Sequence, residues 1–130
     1  MILASLITFT FLFGAILKVS AWDANNPENI KAYVAYVASK EGVNVQDALD
    51  VAHCESRYRK GAIRDSINDP ANPKDDEYSV GIFQINILAH TNITKEQALH
   101  PWFNINWAID KLAQGKWSMW RHCSEKYGII

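Results

Sequence analysis

The stretch Ala52-His53-Cys54-Glu55-Ser56-Arg57-Tyr58-Arg59 sets a carboxylate at the end of an apolar helical pattern and follows it with cations. The carbonyl end of a helix carries partial negative charge, so a carboxyl in the last turn holds its proton more tightly. Burial beside aromatic groups raises its pKa further, whereas Arg57, Arg59 and Arg64 lower it wherever their guanidinium groups come close. A glutamate protonated near neutral pH is what general-acid chemistry on a glycosidic oxygen needs. The competing reading is a solvated Glu55 paired with an arginine, as many surface carboxylates are.

The elements that position this residue can be read from their start and stop signals. Asn26-Pro27-Glu28 has the form of a helix start, with an N-cap, proline at the first helical position and an acid in the first turn. Ile30, Tyr33, Val34 and Val37 follow the helical period, and Gly42 closes it. Asn44 and Asp47 open a second helix whose apolar face is Val45, Ala48, Leu49, Val51 and Ala52, expected to end between Arg57 and Lys60 with Gly61 as the stop. From Gly61 to Tyr78 the chain reads as loop, rich in Pro, Asn and Asp and without periodicity. The run Tyr78-Ser79-Val80-Gly81-Ile82-Phe83-Gln84-Ile85-Asn86 is a short strand or an irregular segment leading into a helix. Thr94 and Gln97 have capping-box spacing. Pro101 starts a helix with Phe103, Trp107, Ile109 and Leu112 apolar and Gly115 as its stop, and Trp117 to Gly128 reads as one last short helix. Trp107, Trp117 and Trp120 are either core residues or the lining of a sugar-binding groove. With no repeat and no linker, the expected fold is one mainly α (α+β) domain with a small irregular or β segment.

Residues 1–21 are nearly all apolar through Leu17 and end in Val19-Ser20-Ala21, the pattern of a secretory leader cut after Ala21. An uncleaved anchor, with membrane association through this segment, is the alternative, although the apolar run is short against the ~20 residues a spanning helix needs. The domain then occupies 22–130, in an exported protein (extracellular, periplasmic or cell-wall associated) expected to be a monomer. Loss of Lys18 leaves 12 Lys and Arg against 14 acids, a net charge of −2. Without a basic excess, nucleic acid is disfavoured as a partner. In an oxidising compartment the two cysteines, Cys54 and Cys123, point to a disulfide. Free thiols, or a Cys2His2 zinc site built from His53-Cys54 and His122-Cys123, are the alternatives. Adjacent helical residues point about 100° apart, which argues against zinc. No cofactor or metal is expected.

Glu55-Ser56, then Ser79-Val80-Gly81-Ile82-Phe83-Gln84, then Asn104-Ile105-Asn106-Trp107 resemble, in order, the motifs of the lysozyme-like superfamily. The match is to the transglycosylase domain of the soluble lytic transglycosylase type, and it runs from about Val45 to Trp120. The "GIFQIN" run also looks like animal lysozymes, and "GKWSMW" resembles the tails of small bacterial lysozyme-like domains. The resemblance implies a peptidoglycan-cleaving enzyme with a glycan groove between the Glu55 helix and the Tyr78–Asn86 segment. It makes Glu55 the catalytic acid and then base, and Ser56 a structural neighbour. Ser79 and Gln84 would bind the sugar, Gly81 would let the backbone approach the glycan, and Asn104 would hold the sheet-like segment or the groove wall.

Three departures from the family pattern bear on mechanism. Animal lysozymes carry an aspartate where this chain has Ser79, so retaining hydrolysis through two close carboxylates is not supported at that position. One acid then implies a substrate-assisted lyase that leaves 1,6-anhydromuramoyl ends. The acidic loop before Ser79 offers an alternative base for water in Asp75, Asp76 or Glu77, giving a hydrolytic muramidase. Asp65, Asn68 and Asp69 in the same loop lack the ligand spacing of an EF-hand calcium site. The family's Tyr-Asn-Ala-Gly segment is missing, and Tyr127 is a candidate to replace its tyrosine alone. A non-catalytic cell-wall binder on the same fold is the reading from a different class.

Overall fold

The computed structural model describes residues 22–71 and 76–130. The expected leader and Asp75 lie outside the described residues. Helix α1, Pro27–Lys40, starts where Asn26 accepts a hydrogen bond from the Glu28 N–H and buries Ile30, Val34, Val37 and Ala38. Helix α2, Val45–Ser56, is capped by Asn44, whose side chain accepts from the Asp47 N–H, and it buries Ala48, Val51 and Ala52. It ends before the expected glycine. Arg57 and Tyr58 take left-handed conformations, φ 54° and 61°, a strained choice for residues with side chains. Hydrogen bonds fold the chain back at that point: the Tyr58 hydroxyl donates to the Leu49 carbonyl at 3.0 Å, and Arg59 Nε donates to that of Ser56 at 2.9 Å.

Three short strands follow: β1 Ile63–Asp65, β2 Tyr78–Val80 and β3 Ile85–Asn86. They form an antiparallel sheet in the order β1-β2-β3, with Arg64 opposite Ser79 and Ser79 opposite Asn86. Strand β1 falls inside the stretch expected to be loop, and the Tyr78–Asn86 run is a hairpin. Helix α3, Lys95–Leu99, carries the Thr94–Gln97 capping box, and α4, Pro101–Ala113, runs up to Gln114 and Gly115. The C-terminal segment is a 3-10 turn, Trp117–Trp120, leading into α5, Arg121–Lys126. The result is a mainly helical α+β chain with one small sheet.

Ile30, Val34, Val51, Phe83, Ile105 and Ile109 belong to the main core, between α1, α2, α4 and the hairpin turn. Val80, Ile85, Ile93 and Ala98 form a smaller core under the sheet, and Trp107 packs against both. Cys54 and Cys123 form a disulfide, Cα atoms 5.9 Å apart, that ties α2 to α5. This bond is compatible with an oxidising, exported location, and it removes both thiols from the zinc alternative. Among the described residues no helix is long and apolar enough to cross a membrane.

Candidate active site

Glu55 lies in the last turn of α2, half-buried, facing a cavity of about 470 Å³. Burial pushes its carboxyl up from 4.5 to about 7. Arg64 pulls the value down and Glu77 pushes it up, and neither outweighs the loss of solvent. Arg57 is exposed, and Arg59 is held by the backbone of Ser56. Ser56 itself is buried, its hydroxyl directed at the Ala52 carbonyl at 3.4 Å. A solvated surface glutamate is therefore the wrong description of this residue.

The sheet brings a second carboxylate to the same cavity. Glu77 immediately precedes β2, two residues before Ser79, a spacing that puts both side chains on one face of a strand. Oε1 of Glu77 accepts a hydrogen bond from the Ser79 hydroxyl at 2.5 Å and lies 3.6 Å from the Arg64 guanidinium. Arg64 reaches it from β1, the strand directly opposite Ser79. Of the other acids proposed from the sequence, Asp76 points elsewhere, accepting from the Asn68 N–H at 2.9 Å. Asp65 and Asp69 likewise accept from nearby backbone N–H groups, those of Ile67 and Ala71, which makes them turn-forming residues.

Ser79 and Gln84 both line the cavity. Gln84 sits at φ 48°, and its amide nitrogen donates to the Ala62 carbonyl at 3.0 Å and to that of Gly81 at 2.9 Å. Gly81 and Asn104 are not in the lining; of the two roles expected of Asn104, holding the sheet-like segment is the one its contacts fit. Asn104 is fully buried, accepting from the Phe83 N–H at 2.8 Å and donating to the carbonyls of Val80 at 3.0 Å and Ala98 at 2.8 Å. Gly81, at φ +83°, lies against Asn104 and the Ala98 carbonyl so closely that a Cβ would collide with both. The two residues lock the hairpin onto α3 and α4; the backbone approach that glycine permits here is to protein.

The apolar part of the lining comes from distant segments. Trp107 meets His90 edge-on with ring centroids 4.8 Å apart, and Trp120 lies 6.4 Å from Trp107. Trp120 is fixed by its indole N–H, which donates to the Phe83 carbonyl at 2.6 Å. Met119 adds an apolar surface 37% exposed. Trp120 is buried in the main core and Trp107 is half-buried between the two cores, so each ring gives the cavity only part of its surface. Trp117 and Tyr127 lie outside the lining. Burial, then Lys111, lowers the pKa of His90. His90, Met119, Arg121 and His122 have no local sequence signal that marks them, because they reach the cavity through the packing of the hairpin, α4 and α5.

The cavity thus holds a half-buried acid protonated near neutrality and a second carboxylate held by a serine and an arginine, a pairing that can donate a proton beside a fixed negative charge. Among the described residues no group of three or more His, Cys, Asp or Glu could hold a metal ion. Comparison with protein-family models, with curated proteins and with solved structures finds no match to this chain.

Proposed function

We propose that the protein is an exported peptidoglycan lytic transglycosylase of lysozyme-like type, cleaving the β-1,4 bond between N-acetylmuramoyl and N-acetylglucosaminyl units. The observation that carries this reading is Glu55, a carboxyl raised to about 7 in a cavity walled by Trp107 and Trp120. Glu55 donates its proton to the glycosidic oxygen as the C1–O bond breaks, and the sugar's own acetamido oxygen closes onto C1. The 6-hydroxyl of the same sugar then attacks C1, displacing the acetamido oxygen and returning its proton to Glu55. The product is a 1,6-anhydromuramoyl end, with no water consumed. The Glu77 carboxylate, engaged through Oε1 by Ser79 and Arg64, acts as a fixed negative charge beside the cationic centre.

A second reading, hydrolysis by a muramidase, is favoured by one observation: Glu77 shares the cavity with Glu55 and could direct a water molecule through Oε2. The cell-wall-binding alternative leaves unused a carboxyl kept protonated at a cost in burial. The test of cleavage as such is Glu55→Gln. Release of soluble fragments from purified peptidoglycan should fall by at least about a thousandfold, while the thermal midpoint is retained or raised. Wild-type turnover by a folded Glu55→Gln protein would refute the assignment.

A further inference from the structure

Trp22, Tyr33, Tyr36 and Trp102 form a second aromatic cluster, and none of the four lines the cavity. Trp22 lies against Trp102 with ring centroids 3.8 Å apart, Tyr33 meets Trp102 edge-on at 4.1 Å, and Tyr36 continues the row 6.1 Å from Tyr33. Asn106 braces the cluster between α1 and α4, its side-chain amide donating to the Tyr33 hydroxyl at 2.9 Å and to the Trp102 carbonyl at 2.8 Å. Trp102 joins neither core, Trp22 is 37% exposed and Tyr36 is 62% exposed. Aromatic rings gathered on the surface and kept out of the core mark a contact surface. Tryptophan and tyrosine are the side chains that settle at the headgroup level of a bilayer, apolar body inward and polar tip in water. The chain itself brings lipid to this face: residues 1–21 are nearly all apolar through Leu17, Lys18 follows the run, and Trp22, next after Ala21, belongs to the cluster.

We propose that this face seats the domain on a lipid bilayer, with Trp22, Tyr36 and Trp102 at headgroup level where the apolar N-terminal segment meets the membrane. The inference is independent of the glycan-cleaving reading. A sugar would need hydrogen-bonding groups beside the rings, and the amides at this face are already engaged: Asn106 with Tyr33 and Trp102, and Asn29 with the Asp23 carbonyl. Lys40 follows Tyr33 and Tyr36 on the same stripe of α1 and offers an ammonium to lipid phosphate. Asp23, beside Trp22, is turned onto Asn25. Trp102 and Trp107 lie about 140° apart around α4, so seating the one leaves the cavity wall of the other free. Removal of the leader after Ala21 would leave this face as a peripheral contact, weaker than an anchored one.

The experiment places the full chain on vesicles of phosphatidylethanolamine with a minority of phosphatidylglycerol and reads enzymatic iodination of each tyrosine by peptide mass. If both rings faced water, Tyr36, 62% exposed, would react faster than Tyr127, 38% exposed. On vesicles the order should reverse, with Tyr36 slower by about tenfold. Quenching by lipids brominated near the headgroup gives a second readout. In the Trp22→Phe chain, which removes the ring next to the apolar segment, that quenching should persist through Trp102 and vanish when Trp102→Phe is added. Tyr36 reacting faster than Tyr127 on vesicles, quenching that ignores Trp102→Phe, or a chain that stays in solution would each overturn the inference. Protection of Tyr36 only when soluble glycan fragments are added would also overturn it and give the face to sugar. Protection only at high protein density on the vesicle would overturn it in favour of a second copy of the chain.

Discussion

Replacing Asn104 with alanine should destabilise the protein severely, and the size of the effect follows from three hydrogen bonds. Asn104 is fully buried and is the partner of the Phe83 N–H and of the Val80 and Ala98 carbonyls. Truncation leaves a buried donor and two buried acceptors to find other partners. An orphaned buried group costs about 1–3 kcal/mol, so the loss should be about 3–5 kcal/mol once partial relaxation is allowed for. That is a large share of a total stability of roughly 5–15 kcal/mol. At about 4–8 °C per kcal/mol for a domain of this size, the melting temperature should fall by at least about 12 °C. Urea unfolding followed by tryptophan fluorescence measures the change directly, with an unchanged m-value showing that the folded state stays comparable. A loss below about 1 kcal/mol would refute the reasoning that this side chain fastens the hairpin. A raised KM at unaltered stability would instead assign Asn104 to the groove wall, the other role expected from the motif.

Three further outcomes follow from the site and the disulfide. The kcat/KM of the wild type should decline as pH rises through about 7, where Glu55 loses the proton it must donate. Glu77 pushes that carboxyl up, so Glu77→Gln should move the alkaline limb to lower pH, and an unmoved limb would contradict the coupling. Replacing Cys54 and Cys123 together by alanine should cost roughly 4 kcal/mol in the chain-entropy model, for a bridge spanning 69 residues. Chemical denaturation of the double variant checks this, and a loss below about 1 kcal/mol would show that the bridge adds little to the fold.

Raising the Glu55 carboxyl also has a cost in folding. The unfolded chain releases the proton near 4.5 while the folded protein holds it up to about 7, so the contribution is fully present below pH 4.5. It is lost as pH rises through 7, by up to about 3 kcal/mol. This accounts for the expectation that Glu55→Gln retains or gains thermal stability.

The starts of the helices were legible because each depends on a few neighbouring residues: Asn26-Pro27, Asn44 with Asp47, and Thr94 with Gln97. The end of α2 was not, since it depends on the Tyr58 hydroxyl reaching back nine residues to Leu49. Strand β1 is exposed at all three residues, and only its pairing with β2 makes it a strand. At the site, Glu55, Ser79 and Gln84 could be picked out as residues of one stretch or one motif. Glu77 was one of three consecutive acids that could serve as a base, and it took the pairing of Arg64 with Ser79 to bring it to the cavity. Asn104 and Gly81 belong to the same motif pattern yet serve each other, because the close approach that Gly81 permits is filled by the Asn104 amide.

The central claim is that one carboxyl, Glu55, delivers and recovers the proton while the substrate supplies the nucleophile. Mass spectrometry of the soluble products from purified peptidoglycan tests it most directly. The account predicts fragments ending in 1,6-anhydromuramoyl units, with no solvent oxygen incorporated when digestion is run in labelled water. Reducing ends, one water heavier and carrying the label, would contradict it and assign the attack to a water molecule directed by Glu77.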